Sequence, residues 1–346
     1  MSRTIEWKDG TAYTIDQTKL PIKSVRIRLK SAADVAKAIR SMQMRGAPLI
    51  GVASAFGLAL AAHHSKAKTT KQLMRELDVA GDLLVSTRPT AVNLKWAVDR
   101  VISKARLIRE RDSLALFVVE EAKRIAEEDY QANLLIGRHG ATLIKNGDTV
   151  LTYCNAGALA TAGYGSALGV LRAAVEAGKK IKVIASETRP LLQGARLTAY
   201  ELARSGIPVT VITDSAVGYL MKRGMIDKTV VGADRILSTG HVFNKIGTYS
   251  VSVLAKVHGV PLYVAAPTST IDVTTKLESV IIEERAASEI QYFHGIRIVP
   301  KGVSALNPAF DVTPPENVSA IVSENGLAFP PYGESLLVLV NSRRLA

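Results

Sequence analysis

Apolar and polar positions alternate over residues 4–7 and again over 11–15, on either side of Lys8-Asp9-Gly10. Alternation around an Asp-Gly pair predicts a β-hairpin. From residue 32 to about 144 the apolar positions recur at helical spacing, and breaks are expected at Gly46-Ala47-Pro48, near Gly81, at Arg88-Pro89 and near Arg111-Asp112. Asn146-Gly147-Asp148 reads as a tight turn, after which the period changes. A boundary is expected there, with a hairpin plus helical domain over 1–146 and an α/β domain over 147–346.

In the second region short β-rich apolar runs (149–153, 182–185, 209–212, 229–231 and 262–265) alternate with helical stretches long enough to cross over. The pattern predicts a Rossmann-like parallel sheet with helices on both faces, which places ligands outside the carboxyl ends of the strands. The residues just past those runs are polar or turn-forming: Cys154-Asn155-Ala156-Gly157, Ser186-Glu187-Thr188-Arg189, Thr213-Asp214-Ser215, Gly232-Ala233-Asp234 and Ala266-Pro267-Thr268. After Val273 the chain reads as loop-rich and is expected to close over that edge or over a partner subunit.

Composition changes this picture in two places. The 346 residues carry a formal net charge of +13, which raises the possibility of nucleic-acid binding. Aromatics are only 5%, however, and the densest basic stretch, Arg100 to Arg111, is interrupted by Glu110 and spaced as a solvated helix face, so no nucleic-acid partner is expected. The excess suits a small anionic substrate or solubility. A single cysteine excludes an intrachain disulfide and points to a reducing compartment, the cytoplasm. The first 25 residues show no secretory pattern, and the uncharged stretch 48–63 is short for a membrane span, so no membrane is expected.

Familiar cofactor motifs fail. Gly163-Tyr164-Gly165 has its third glycine at Gly169, one position late for a dinucleotide fingerprint. No Walker sequence, nucleophile elbow or metal-ligand spacing occurs, so neither a metal nor another cofactor is expected. Cys154 reads either as a small buried hydrophobe or as a thiol whose pKa the following amides and a helix start would lower. Asp234, after an apolar strand end, reads either as a desolvated general acid or as a helix cap or a partner of Arg235. Arg45-Gly46-Ala47-Pro48 sets an arginine beside the amides of a helix start, as in a phosphate cradle; Arg88-Pro89 repeats the design, and Asn244-Lys245-Ile246-Gly247 offers a lysine at another helix start. A capping turn with a solvated cation is the alternative at each.

Taken together these segments resemble the S-methyl-5-thioribose-1-phosphate isomerases of methionine salvage, which are related to the regulatory subunits of the exchange factor for translation initiation. The likeness runs through MRGAPLIG at 44–51, TRPTAVNL at 87–94, YCNAGALATAGYGSALGV at 153–170, ETRPLLQGARLTAYEL at 187–202, GADRI at 232–236, NKIGTY at 244–249 and NPAFDVTP at 307–314. The resemblance implies Cys154 and Asp234 as the catalytic pair. It implies substrate contacts from Arg45, Gly46, Ala47, Arg88, Gln193, Asn244 and Lys245. It further implies a homodimer and an aldose–ketose isomerisation of 5-methylthioribose 1-phosphate that needs no cofactor. Ala156 and Ala216 stand where the family more often has Thr and Met, which leaves the 5-substituent open. Ribose 1,5-bisphosphate and 5-deoxyribose 1-phosphate are the neighbouring substrates, and a non-catalytic translation-factor-like regulator is the alternative of another class.

Overall fold

The structure, a computed structural model, describes residues 3–341. Ile5–Lys8 (β1) and Thr11–Ile15 (β2) form the expected hairpin, and Arg26–Leu29 (β3), which the pattern did not reveal, adds a third antiparallel strand. Five helices follow: α1 (Ala32–Arg40), α2 (Ala47–His64), α3 (Thr70–Val85), α4 (Val92–Ala105) and α5 (Arg111–Ala141). Ser31 and Thr69 cap α1 and α3 through their hydroxyls, which fixes where those helices start.

The apolar stretch at 48–63 lies within α2. That helix is apolar on nearly every face because its neighbours surround it, and it is a core helix. The expected break near Gly81 is absent. Gly81 sits inside α3, where a Cβ would stand 3.1 Å from Val98 Cγ1, and the actual break falls at residues 65–69.

The central sheet runs in the order β16-β15-β10-β7-β4-β5-β6. It contains Thr149–Thr152 (β4), Lys182–Ser186 (β5), Val209–Ile212 (β6), Lys228–Val231 (β7) and Leu262–Ala265 (β10), all parallel as expected. The chain does not end loop-rich. Ala320–Ser323 (β15) extends the parallel sheet, Gly326–Ala328 (β16) closes its edge antiparallel, and Tyr332–Asn341 (α11) packs beneath. Helices α6 (Ala167–Glu176) and α7 (Ala199–Arg204) cover one face. Helices α8 (Val217–Lys222), α9 (Thr248–Val257) and α11 cover the other.

Arg235–Leu237 (β8), Val242–Lys245 (β9), Ile271–Asp272 (β11) and Phe310–Thr313 (β14) form a small second sheet in the order β11-β8-β9-β14. An arm between β11 and β14 carries α10 (Ser288–Gln291) and a hairpin of Tyr292–Phe293 (β12) and Ile296–Arg297 (β13). Helix α5 spans both halves. Leu114, Val118 and Ile125 pack among the N-terminal helices, while Ile136 and Ala141 pack against the sheet helices.

Candidate active site

The amino end of α2 faces the carboxyl ends of β4 and β7, and a cavity open to solvent lies between them. Every site residue expected from the sequence lines it: Arg45, Gly46, Ala47, Arg88, Cys154, Gln193, Asp234, Asn244 and Lys245.

Gly46 closes one wall. It has φ +102°, and a Cβ there would stand 2.6 Å from Ala160 Cα, so both backbone conformation and close approach require glycine. Opposite, a Cβ on Gly232 would stand 2.6 Å from that of Ala156. Ala156 lines the cavity; Ala216 does not.

Cys154 has φ +63°, a conformation that costs a non-glycine residue ~1–3 kcal/mol unless its surroundings fix it. Here its N–H donates to Thr188 Oγ1 at 2.9 Å and its carbonyl accepts from Thr198 Oγ1 at 2.6 Å. The expectation of a depressed thiol pKa is corrected. Desolvation pushes the thiol up, and the opposing pull of Arg45 and Lys245 is smaller. No α-helix begins behind Asn155-Ala156-Gly157; a single 3-10 turn follows, and α6 starts only at Ala167.

Asp234 ends the connection from β7 to β8, its N–H donating to Phe243 O at 2.9 Å. Desolvation raises its pKa above the carboxylate range, against the pull of Lys245, Arg88 and Arg45. Arg235 is not its partner: Arg235 donates to Thr90 O at 3.1 Å and faces Asp272 at 3.7 Å. The desolvated-acid alternative therefore describes Asp234.

The cations are anchored. Arg45, 7% exposed, donates to Gln17 Oε1 at 3.1 Å and through both terminal nitrogens to Asn155 O at 3.0 Å, with a further contact to Asn155 Oδ1. It secures the turn after Cys154 as well as facing the cavity. Arg88 pairs with Glu283 at 2.8 Å. Lys245, 8% exposed, donates to Ala309 O at 2.8 Å beside the Phe310 ring, and burial pushes its pKa down. Asn244 donates to Thr248 Oγ1 at 3.0 Å. Gln193 Oε1 is buried without a hydrogen-bond partner, an acceptor available to a ligand hydroxyl.

Beneath the cavity, Glu201 holds the turn in place. Its carboxylate accepts from Asn155 Nδ2, Ala158 N and Leu159 N and pairs with Arg172 at 2.8 Å.

The initiation factor 2 subunit family model matches residues 43–330. Methylthioribose-1-phosphate isomerase of Thermosipho africanus is 51% identical over 334 residues, covering 96% of each chain. That of Geotalea daltonii is 53% identical over 343 residues, 98% of this chain and 99% of the relative. The chain belongs to the methylthioribose-1-phosphate isomerases within the initiation factor 2 subunit family. Among solved structures, 5-methylthioribose 1-phosphate isomerase from Pyrococcus horikoshii superposes with a TM-score of 0.91 at 41% identity, covering 99% of this chain and 96% of that one. A protein from A. fulgidus described as translation initiation factor eIF-2B subunit delta superposes at 0.87 with 48% identity, covering 99% and 100%. The fold thus serves isomerases and proteins described as translation factors, and the site has to carry the functional distinction.

Sequence reasoning missed Arg285, Phe310 and Tyr153, which also line the cavity, and Glu283, which pairs with Arg88. Glu283 and Arg285 lie on the arm, where no periodicity marks them. Their only signal was a run of charge ahead of NPAFDVTP.

Proposed function

We propose that this chain is a methylthioribose-1-phosphate isomerase, converting the aldose 5-methylthioribose 1-phosphate to the ketose 5-methylthioribulose 1-phosphate. One observation carries the reading: a buried carboxyl group whose pKa desolvation raises, Asp234, in a cavity lined with cations. A sugar with phosphate on its anomeric oxygen has no free aldehyde, so its ring must open by protonation of the ring oxygen. A buried carboxyl whose pKa desolvation raises can supply that proton.

The cavity's charge fits one phosphate. Arg45, Arg88, Lys245 and Arg285 are four cations; Glu283 and Glu289, which pair with the arginines, are two carboxylates; the difference is two positive formal charges. A phosphate monoester carries about two negative charges at neutral pH. Next to this region, and sharing Arg88, Asp234 and Phe310 with it, a second cavity of about 520 Å³ is walled by Ile50, Ala91, Phe243, Val280 and Ile282. The apolar side of this annexe suits a methylthio group, while Arg88 and Arg235 stand on its polar side. A purely regulatory protein would have no use for such an acid.

In the proposed sequence Asp234 gives its proton to the ring oxygen as the C1–O bond breaks. Hydrogen moves from C2 to C1 with its electron pair, and the C2 hydroxyl returns a proton to the Asp234 carboxylate, leaving the ketone. Cys154, whose thiol is held neutral, lies against the reacting carbons rather than acting as a base. Gln193 accepts from a substrate hydroxyl, and the cations hold the phosphate. The protein works in the cytoplasm, consistent with its free cysteine. It works as a homodimer, for which exposed Val211 on β6 and Tyr219 on α8 offer apolar contact surface.

The test is ketose formation from 5-methylthioribose 1-phosphate in deuterated solvent. Turnover with no solvent deuterium at C1, unaffected by chelator and abolished in Asp234→Asn, is expected. Deuterium at C1 would overturn the internal hydrogen transfer, and absence of ketose would overturn the function.

A further inference from the structure

Glu283 divides its carboxylate between two arginines of the site. Oε2 accepts from Arg88 Nε at 3.0 Å and stands 2.8 Å from its Nη2; Oε1 lies 3.2 Å from Arg285 Nη1. Its main chain is fixed as well, since Glu283 O accepts from Ala309 N at 2.8 Å. The carboxylate is therefore placed, rather than swinging free at the rim. Two residues of the same short stretch, Val280 and Ile282, wall the apolar annexe. One segment of the arm thus meets both ends of the cavity, the cationic and the apolar.

Glu289 already faces Arg285 at 2.5 Å, whereas Glu283 is the only carboxylate paired with Arg88 among the described residues. Without Glu283 the cavity would carry three positive formal charges instead of two, and Arg88 would be free to take a second anionic group. With it, Arg88 is already paired with a fixed carboxylate, and a second phosphate of a bisphosphate would have to compete with that charge.

We propose that Glu283 is a specificity-determining residue, one that sets the anionic charge the site accepts and so selects a sugar carrying one phosphate over a sugar bisphosphate. Selection of this kind works by building a repulsion against the competitor as well as contacts to the preferred ligand. The inference rests on the reading of the cationic region as a phosphate site for 5-methylthioribose 1-phosphate.

The experiment compares kcat/KM for 5-methylthioribose 1-phosphate with the inhibition constant of ribose 1,5-bisphosphate in the wild type, Glu283→Gln, Arg285→Gln and Glu278→Gln, at low and high salt. Glu278 is exposed on the same arm, so its variant makes the same change of charge away from the cavity. Glu283→Gln should shift the preference toward the bisphosphate by about 10- to 100-fold, less at high salt. Arg285→Gln should shift it the other way, and Glu278→Gln should leave it unchanged. An unchanged ratio in a folded Glu283→Gln, or an equal shift in Glu278→Gln, overturns the proposal. If Glu283→Gln does not fold, the absence of an opposite shift in Arg285→Gln overturns it. Wild-type protein inactive on 5-methylthioribose 1-phosphate overturns the underlying reading instead.

Discussion

Asp234 and Cys154 occupy surroundings that resist charge on either group, and the consequences for stability and activity have opposite signs. The folded pKa of Asp234 lies above its unfolded value, so its contribution is fully present below the unfolded pKa and is lost as pH rises through the folded one. At neutral pH, Asp234→Asn is therefore expected to leave the thermal midpoint unchanged or higher while lowering kcat by ~10²- to 10⁴-fold, the usual range for losing a general acid. Calorimetry together with initial rates checks both halves. At this scale the sequence was informative about identity and poor about electrostatics. Cys154 and Asp234 could be picked out because both follow apolar runs at one edge of a parallel sheet. The direction of the thiol's pKa could not, because it depends on residues distant in the chain, Arg45 and Lys245, and on how far water is excluded.

The Cys154–Leu159 turn shows how one side chain can support an element that has little hydrogen bonding of its own. Three donors of this turn converge on Glu201, which is itself fully buried and paired with Arg172. Removing the charge leaves Arg172 buried beside an amide. Glu201→Gln is expected to cost ~3–5 kcal/mol in urea unfolding, with loss of activity as the turn loosens. The long, strongly periodic elements were legible in the sequence: the start of α2, the length of α5 and the five strands of the parallel run were placed to within a few residues, whereas the end of α2 at His64 was not. The second sheet was not. Its strands β8, β9, β11 and β14 have two to four residues each, too short to show a period, and β11 and β14 join the local β8–β9 pair from far along the chain.

Across the whole molecule, buried carboxyls sit at the joints, one between the helical half and the sheet half and one inside the sheet half. Asp129 on α5 accepts from Ala162 N at 2.7 Å, and desolvation raises its pKa to about 7. Burial brings Asp311, beside the Asn244–Lys245 strand, to about 6. Both folded values exceed the unfolded value of 3.8, so this part of the stability is present below 3.8 and is lost progressively as pH climbs from there through about 6 and about 7. Unfolding free energy should fall between pH 5 and 8, and Asp129→Asn should flatten that slope; chemical denaturation at a series of pH values measures it. The arm was expected to close over the strand edge or over a partner subunit; its Arg285 lines the cavity, and its Glu283 pairs with Arg88 and Arg285 there. Besides the Arg88–Glu283 pair, the main chain of one residue ties it down there: Ala309 N donates to Glu283 O, and Ala309 O accepts from Lys245. A position that works through main-chain atoms, and is already alanine, is invisible to alanine scanning. A map of this site drawn from side-chain deletions alone would leave out the joint that couples the arm to the lysine.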